Sequence, residues 1–147
     1  MFSGRRVVLR GSLLGLLLLA ACGPDARVRI ARLEGAQAQP PTDSPATGTA
    51  FGSLHAYRRL EIEGAFGNLR APLLRDTPIS VRDVSAGTPG SVVRVLEVDA
   101  PDGRSGAFHG HLDLTEAQLG AYLSGDWVVV IATEAHPDGE IRGAFSP

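Results

Sequence analysis

The chain has no lysine and a single asparagine, and among its 147 residues it has one cysteine, one methionine and one tryptophan. The missing lysine and scarce asparagine fit a GC-rich coding sequence. With one cysteine, no intrachain disulfide can form, so the domain must be held by core packing. Several enzyme templates are missing too. There is no Gly-x-Ser-x-Gly elbow, no phosphate-cradling glycine loop and no His-Glu-x-x-His. No stretch is charged enough to form a disordered tail, and no internal repeat is visible. The one long apolar run, Gly11 to Ala21, is shorter than the roughly 20 residues a spanning helix needs.

That run nevertheless has meaning where it sits. Arg5, Arg6 and Arg10 give a basic start, Leu13 to Leu19 an apolar stretch, and Ala20-Ala21 a small-residue cleavage point. The lone cysteine, Cys22, follows at once. The arrangement looks like a bacterial lipoprotein signal, in which residues 1–21 are removed and Cys22 becomes the lipid-modified N-terminus. Two or three acyl chains, at about 0.8 kcal/mol per buried CH₂, would anchor the protein stably. Gly23 stands where an Asp would signal inner-membrane retention in enterobacterial-type sorting. The expected organisation is a signal over 1–21, a tether over 22–27 and one β domain over 28–147. The expected location is the bacterial cell envelope, extracytoplasmic and lipid-anchored. Loss of the three signal arginines from the 14 basic residues leaves 11 against 16 acids, a formal charge of −5. A negative domain excludes nucleic acid as a natural partner. The expected partners are the membrane, through Cys22, and an envelope protein.

Beyond the tether the pattern is β. Val28 to Glu34 alternates imperfectly. Leu54 to Glu63 reads as one half-buried strand, with Leu54, Ala56, Leu60 and Ile62 on one face and Arg58 as the exception. Gly35 to Gly48, rich in Pro, Gly and small polar residues, reads as a loop. Ile79 to Val84 and Val92 to Val98 read as strands around the turn-rich Ser85 to Gly90. Phe108, Gly110, Leu112 and Leu114 alternate with His109, His111 and Asp113. One helix interrupts: Thr115 with Gln118 makes a capping-box pattern, Leu119, Tyr122 and Leu123 follow at helical spacing, and Gly125 fits the C′ position. Trp127 to Thr133 is apolar on both faces, as a buried strand is. His136-Pro137-Asp138-Gly139 is a tight turn into Glu140 to Phe145. Short strands with one small helix, near residues 115–124, predict a mainly β, antiparallel sandwich or barrel.

The closing segments Leu114-Thr115-Glu116-Ala117-Gln118-Leu119, Leu123-Ser124-Gly125-Asp126-Trp127-Val128-Val129-Val130 and His136-Pro137-Asp138-Gly139-Glu140-Ile141-Arg142-Gly143 resemble the CHRD domain, the module named after chordin and widespread in bacterial secreted proteins. The opening is similar as well: Leu33-Glu34-Gly35-Ala36-Gln37, Pro40-Pro41 and Ala46-Thr47-Gly48 resemble the family's Leu-x-Gly-x-x-Glu-x-Pro-Pro…Ala-x-Gly start. The resemblance implies an immunoglobulin-like β architecture, in agreement with the strand pattern, and an extracellular interaction role by analogy with chordin. The chain departs from the family at its Ala-His-Ile-His-x-Gly motif. There it carries Pro78-Ile79-Ser80-Val81-Arg82 without either histidine, and the family's Val-His-Thr strand is here Val130-Ile131-Ala132-Thr133. Any chemistry served by those histidines is absent from this sequence.

Two groups of residues carry possible chemistry. His109, His111 and Asp113, at i, i+2 and i+4 of a strand, share one face and could hold Zn²⁺ or Cu²⁺, with His55 as a neighbour. The alternative is a solvated polar face, and that is the expectation, with no resident cofactor. In the closing hairpin, Gly139, Glu140, Arg142 and Gly143 are expected to be structural, Arg142 bonding carbonyls or a carboxylate. The alternative is an exposed Glu140–Arg142 recognition pair. His136 is expected to be exposed in its turn, and Trp127 to be core. Asp83, Asp99 and Asp102 lack calcium-loop spacing. The expected function is therefore non-catalytic binding or structural support at the envelope, with a metal-binding, redox-related protein as the alternative.

Overall fold

Strand alternation and turn chemistry build a single antiparallel sheet. A computed structural model describes residues 27–147; Cys22 and the signal segment lie outside the described residues. The strands are β1 (Arg27–Glu34), β2 (Thr47–Leu54), β3 (Arg59–Gly67), β4 (Ile79–Asp83), β5 (Ser91–Val95), β6 (Glu97–Asp99), β7 (Gly106–Asp113), β8 (Trp127–Ile131) and β9 (Ile141–Ala144), with one helix, α1 (Glu116–Leu123). Their order across the sheet is β5-β4-β8-β9-β1-β2-β3-β7-β6, and every neighbouring pair is antiparallel.

The two edge strands of this nine-stranded sheet, β5 and β6, are consecutive in the chain and joined through Leu96 alone. Leu96 is buried (3% exposed), and its N–H donates to the Ile79 carbonyl on β4 at 2.9 Å. One residue thus carries the chain from one edge of the sheet to the other, and the sheet curls into a nearly closed barrel. Of the sandwich and barrel forms that the strand pattern allowed, the protein takes the barrel. Closure leaves little free edge for pairing with other chains.

The interior is aliphatic with a few aromatics. Leu33, Leu60, Ile62, Ile79, Val81, Val129, Ile131 and Ile141 pack with Phe66, Phe108, Tyr122, Trp127 and Phe145. Tyr122 meets Trp127 and Phe145 edge-on, with ring centroids 5.8 and 5.5 Å apart. The Tyr122 hydroxyl donates to the Gly52 carbonyl at 3.2 Å, and the Arg29 guanidinium sits 5.5 Å from the ring centroid. Burial pushes the Tyr122 phenol up to about 12, and the Arg29 charge opposes that shift. The helix that delivers Tyr122 starts on a complete capping box: the Gln118 N–H donates to Thr115 Oγ1 at 3.1 Å, and the Thr115 N–H to Gln118 Oε1 at 3.0 Å. The chain leaves the helix at Gly125, whose φ of 83° a side chain would disfavour.

Four readings of the sequence need correction. Residues 47–54, of which Thr47 and Gly48 read as a loop and Thr49 to Ser53 as no strand, form the long strand β2 between β1 and β3. The continuous strand over Leu54 to Glu63 is broken by a 3-10 turn at Ala56–Arg58, and Arg58, the exception to its alternation, has φ at 63°. The strand over Val92 to Val98 is two strands divided at Leu96. Arg27, assigned to the tether, already pairs with Leu54.

Candidate functional site

Of the two groups of residues that the sequence singled out, one lies on the exposed face of the sheet and the other is buried at its closing hairpin. On β7, His109, His111 and Asp113 are exposed and stand opposite Glu63, Glu61 and Arg59 of β3. His109 Nε2 lies 2.7 Å from Glu97 Oε2 of β6, and His55 Nε2 lies 3.2 Å from Glu61 Oε2. The three candidate ligands share a face, but they do not share a point. Positions i and i+4 of a strand are about 13 Å apart, whereas donors to one Zn²⁺ must each come within about 2.0–2.3 Å of it. Among the described residues, no three His, Cys, Asp or Glu side chains form a group able to hold a metal ion. The row is an alternation of imidazoles and carboxylates on a wet face.

The closing hairpin is built differently. His136 to Gly139 make its turn, with the Gly139 N–H donating to the His136 carbonyl at 3.0 Å and Gly139 at φ 125°. Glu140 follows and is fully buried, with 0% exposure. Its carboxylate accepts from Ser44 Oγ (2.7 Å), from the Arg70 backbone N–H (2.9 Å) and from Thr133 Oγ1 (3.1 Å). Its carbonyl accepts from Thr42 Oγ1 at 2.7 Å, and its N–H donates to the Ile131 carbonyl at 2.8 Å. A carboxylate removed from water needs such donors to offset its lost hydration. Glu140 finds them on three separate segments, tying the 42–46 loop, the segment after β3 and the end of β8 into one corner. An exposed recognition pair with Arg142 is therefore excluded.

Arg142 lies on the outer side of β9, opposite Val130 and Glu34. It is buried to 9% exposure. Among the described residues, no carbonyl or carboxylate accepts a hydrogen bond from its guanidinium, so the expected fixing bonds are not made. Burial, and then the positive charge of Arg82, hold its pKa below the ordinary arginine value. Arg82 is half-buried on β4 and donates from Nε to Ser80 Oγ at 3.3 Å. Arg142 lines a cleft of about 300 Å³ with Gln37, Gln39, Val128, Gly143 and Ala144. Gly143 is required by the packing beneath that cleft: a Cβ there would overlap the Arg32 carbonyl oxygen of β1 and come within 3.0 Å of Leu33 Cδ2.

The other acids are local. Asp83 accepts from the Ser85 N–H and hydroxyl at 2.9 and 2.6 Å and from Trp127 Nε1 at 3.3 Å. These bonds, those from Ser85 foremost, hold its carboxyl below the usual 3.8. Asp102 caps its own turn through Arg104 and Ser105 and is likewise lowered. Also on the outside, Ile30 of β1 opposes Phe51 of β2, and both, with Val28, are exposed.

A small antiparallel barrel whose last hairpin is sealed onto its opening loop by a buried glutamate defines the class of module. Its particular family follows from comparison: a model of the CHRD domain matches residues 30–145, and the chain belongs to that family. No curated protein and no solved structure matches it. Sequence reasoning missed Thr42, Ser44, Arg70 and Thr133 as partners of Glu140, and Arg82 as the neighbour of Arg142. The hydroxyl-rich run after Pro40-Pro41 was the one available signal, since such residues in a loop bond buried acceptors.

Proposed function

We propose that this protein is a lipid-anchored, extracytoplasmic CHRD-domain module with a non-catalytic binding or structural role at the bacterial cell envelope. The observation that carries the reading is the position of Cys22. It follows a basic start, an apolar stretch and two alanines, and it precedes the first strand, at Arg27, by only five residues. At about 3.5 Å per residue such a tether reaches at most about 18 Å, so the domain would work close against the bilayer. No helix among the described residues is long and apolar enough to cross a membrane, and the lipid would supply the attachment. The exposed apolar strip of Val28, Ile30 and Phe51 supports a binding role, because contiguous apolar surface of this kind marks contact sites.

The test is metabolic labelling of the full chain, expressed with its own leader in a bacterial host, using an alkyne-bearing palmitate analogue. The wild type should take up label and partition with membranes. Cys22→Ser should lose the label and leave the membrane fraction. An unlabelled wild type, or a Cys22→Ser variant that fractionates unchanged, would refute the anchor.

A further inference from the structure

Arg142 is an anomaly among the cations of this fold. Its neighbours on the outer face either bond locally or stand in solvent, whereas Arg142 is more than nine-tenths buried and no protein acceptor among the described residues uses its donors. No fully buried side-chain nitrogen or oxygen among the described residues lacks a partner, so the unpaired guanidinium nitrogens of Arg142 keep contact with solvent and stay open to a ligand. Arg82, opposite Val128 of β8, stands on the same outer face and adds a second positive charge there. The burial is that of the side chain's stem, which covers apolar surface, while the residue lines the cleft with Gln37 and Gln39.

We infer that the cleft above β8 and β9 is a recess for an oxyanion, a carboxylate or phosphate group of a ligand, held by the Arg142 fork, with Arg82, which does not line the cleft, as a second charge on the same face. A planar guanidinium offers paired N–H donors that match two oxygens of either group. The Arg82 groups other than Nε have no protein acceptor among the described residues, and the Gln39 amide can add a neutral donor at the rim. Glu34, the register partner of Arg142, is the carboxylate best placed to compete. It is exposed and forms no ion pair among the described residues. This inference deepens the binding reading above and makes no use of the lipid anchor.

The test uses the full chain in neutral detergent, labelled with ¹⁵N-arginine, and follows the arginine Nε–Hε resonances. Sodium phosphate and sodium acetate are titrated separately, with sodium chloride adjusted to constant ionic strength. Saturable shifts of the Arg142 and Arg82 signals, with Arg75 and Arg104 static, are expected. The salt that saturates at lower concentration identifies the source, phosphate or carboxylate. Arg82→Gln should weaken binding about tenfold, as loss of one charge-assisted contact does, while Glu34→Gln should tighten it and Arg75→Gln should leave it unchanged. Arg142→Lys keeps the charge but not the fork and should abolish saturation. Should Arg142 variants fail to fold, the wild-type shifts and the Arg82→Gln titration still decide. Linear drift shared equally by all arginine signals, or saturation unaffected by Arg82→Gln, would overturn the recess and leave Arg142 a packing residue with a hydrated head. Failure here leaves the Cys22 labelling result untouched, and failure of that labelling leaves the recess intact.

Discussion

Glu140 concentrates the most chemistry into one residue, and its environment separates the effect of charge from that of shape. Replacing it with Ala strands three donors, from Ser44, Arg70 and Thr133, in a dry corner. The expected loss is about 3–5 kcal/mol, read as a lowered urea midpoint. Glu140→Gln keeps the volume. Its amide oxygen can take the position that accepts from Ser44 and the Arg70 N–H, and its NH₂ can donate to the Thr133 hydroxyl, which rotates to accept. That variant should lose only about 1–2 kcal/mol. Equal losses in the two variants would show that the corner does not depend on these bonds. Asp83 gives a second test, through pH. Its folded carboxyl is held below 3.8, chiefly by Ser85, so its stabilising contribution is fully present above that value and is lost as pH falls through the depressed one. The gap in urea midpoint between wild type and Asp83→Asn should therefore be constant from pH 7 to about 5 and close below pH 4. Trp127 fluorescence, reporting on the Nε1 bond to Asp83, should change over the same interval. A gap independent of pH would assign the effect to packing.

Two glycines give opposite expectations at the scale of the elements. Gly143 lies where β9 crosses closest to β1, and a Cβ there overlaps the Arg32 carbonyl and crowds Leu33. Gly143→Ala must push the strands apart and should cost about 2–3 kcal/mol. Gly120 is exposed within α1 with nothing within 4 Å of an added Cβ, so Gly120→Ala should stabilise by about 1 kcal/mol through helix propensity. Thermal unfolding of the two variants reads both signs; a neutral Gly143→Ala would mean that the β1–β9 contact is slack. Elements governed by local chemistry were legible in the sequence. The helix, its capping box and its glycine exit, the buried strand from Trp127 and the tight turn at Pro137 each rest on residues a few positions apart. The errors came where tertiary context decides. In β2 the small residues Thr47 and Gly48 pair because β1 and β3 flank them, although their composition reads as a loop. In the Leu54–Glu63 run, alternation continued on paper through a turn that Arg58 makes by entering the left-handed region. The i, i+2, i+4 rule rightly put His109, His111 and Asp113 on one face, but sharing a face does not set distance along the strand.

The closure of the whole molecule depends on contacts between residues far apart in sequence, and this is why so little of the site could be read beforehand. Ser44 meets Glu140 across 96 positions and Arg70 meets it across 70; no local pattern encodes either. The seam is a further case. Leu96 interrupts what reads as one strand, and the interruption is what takes the chain from edge to edge of the sheet. Its side chain is packed under the barrel wall, close enough to β7 that a Cβ on Gly110 would lie 2.6 Å from its Cδ2, while its N–H holds β4. Leu96→Ala would leave a cavity at this joint and should cost about 3 kcal/mol. The distribution of the loss matters more than its size. β5 and β6 each have a neighbour on one side only, so loosening Leu96 should raise amide hydrogen exchange first in Ser91–Val95 and Glu97–Asp99. The central β9-β1-β2-β3 strands keep partners on both sides, and should keep their protection until global unfolding. Uniform acceleration across all strands would show instead that the barrel opens as one unit, with Leu96 contributing only its share of buried surface.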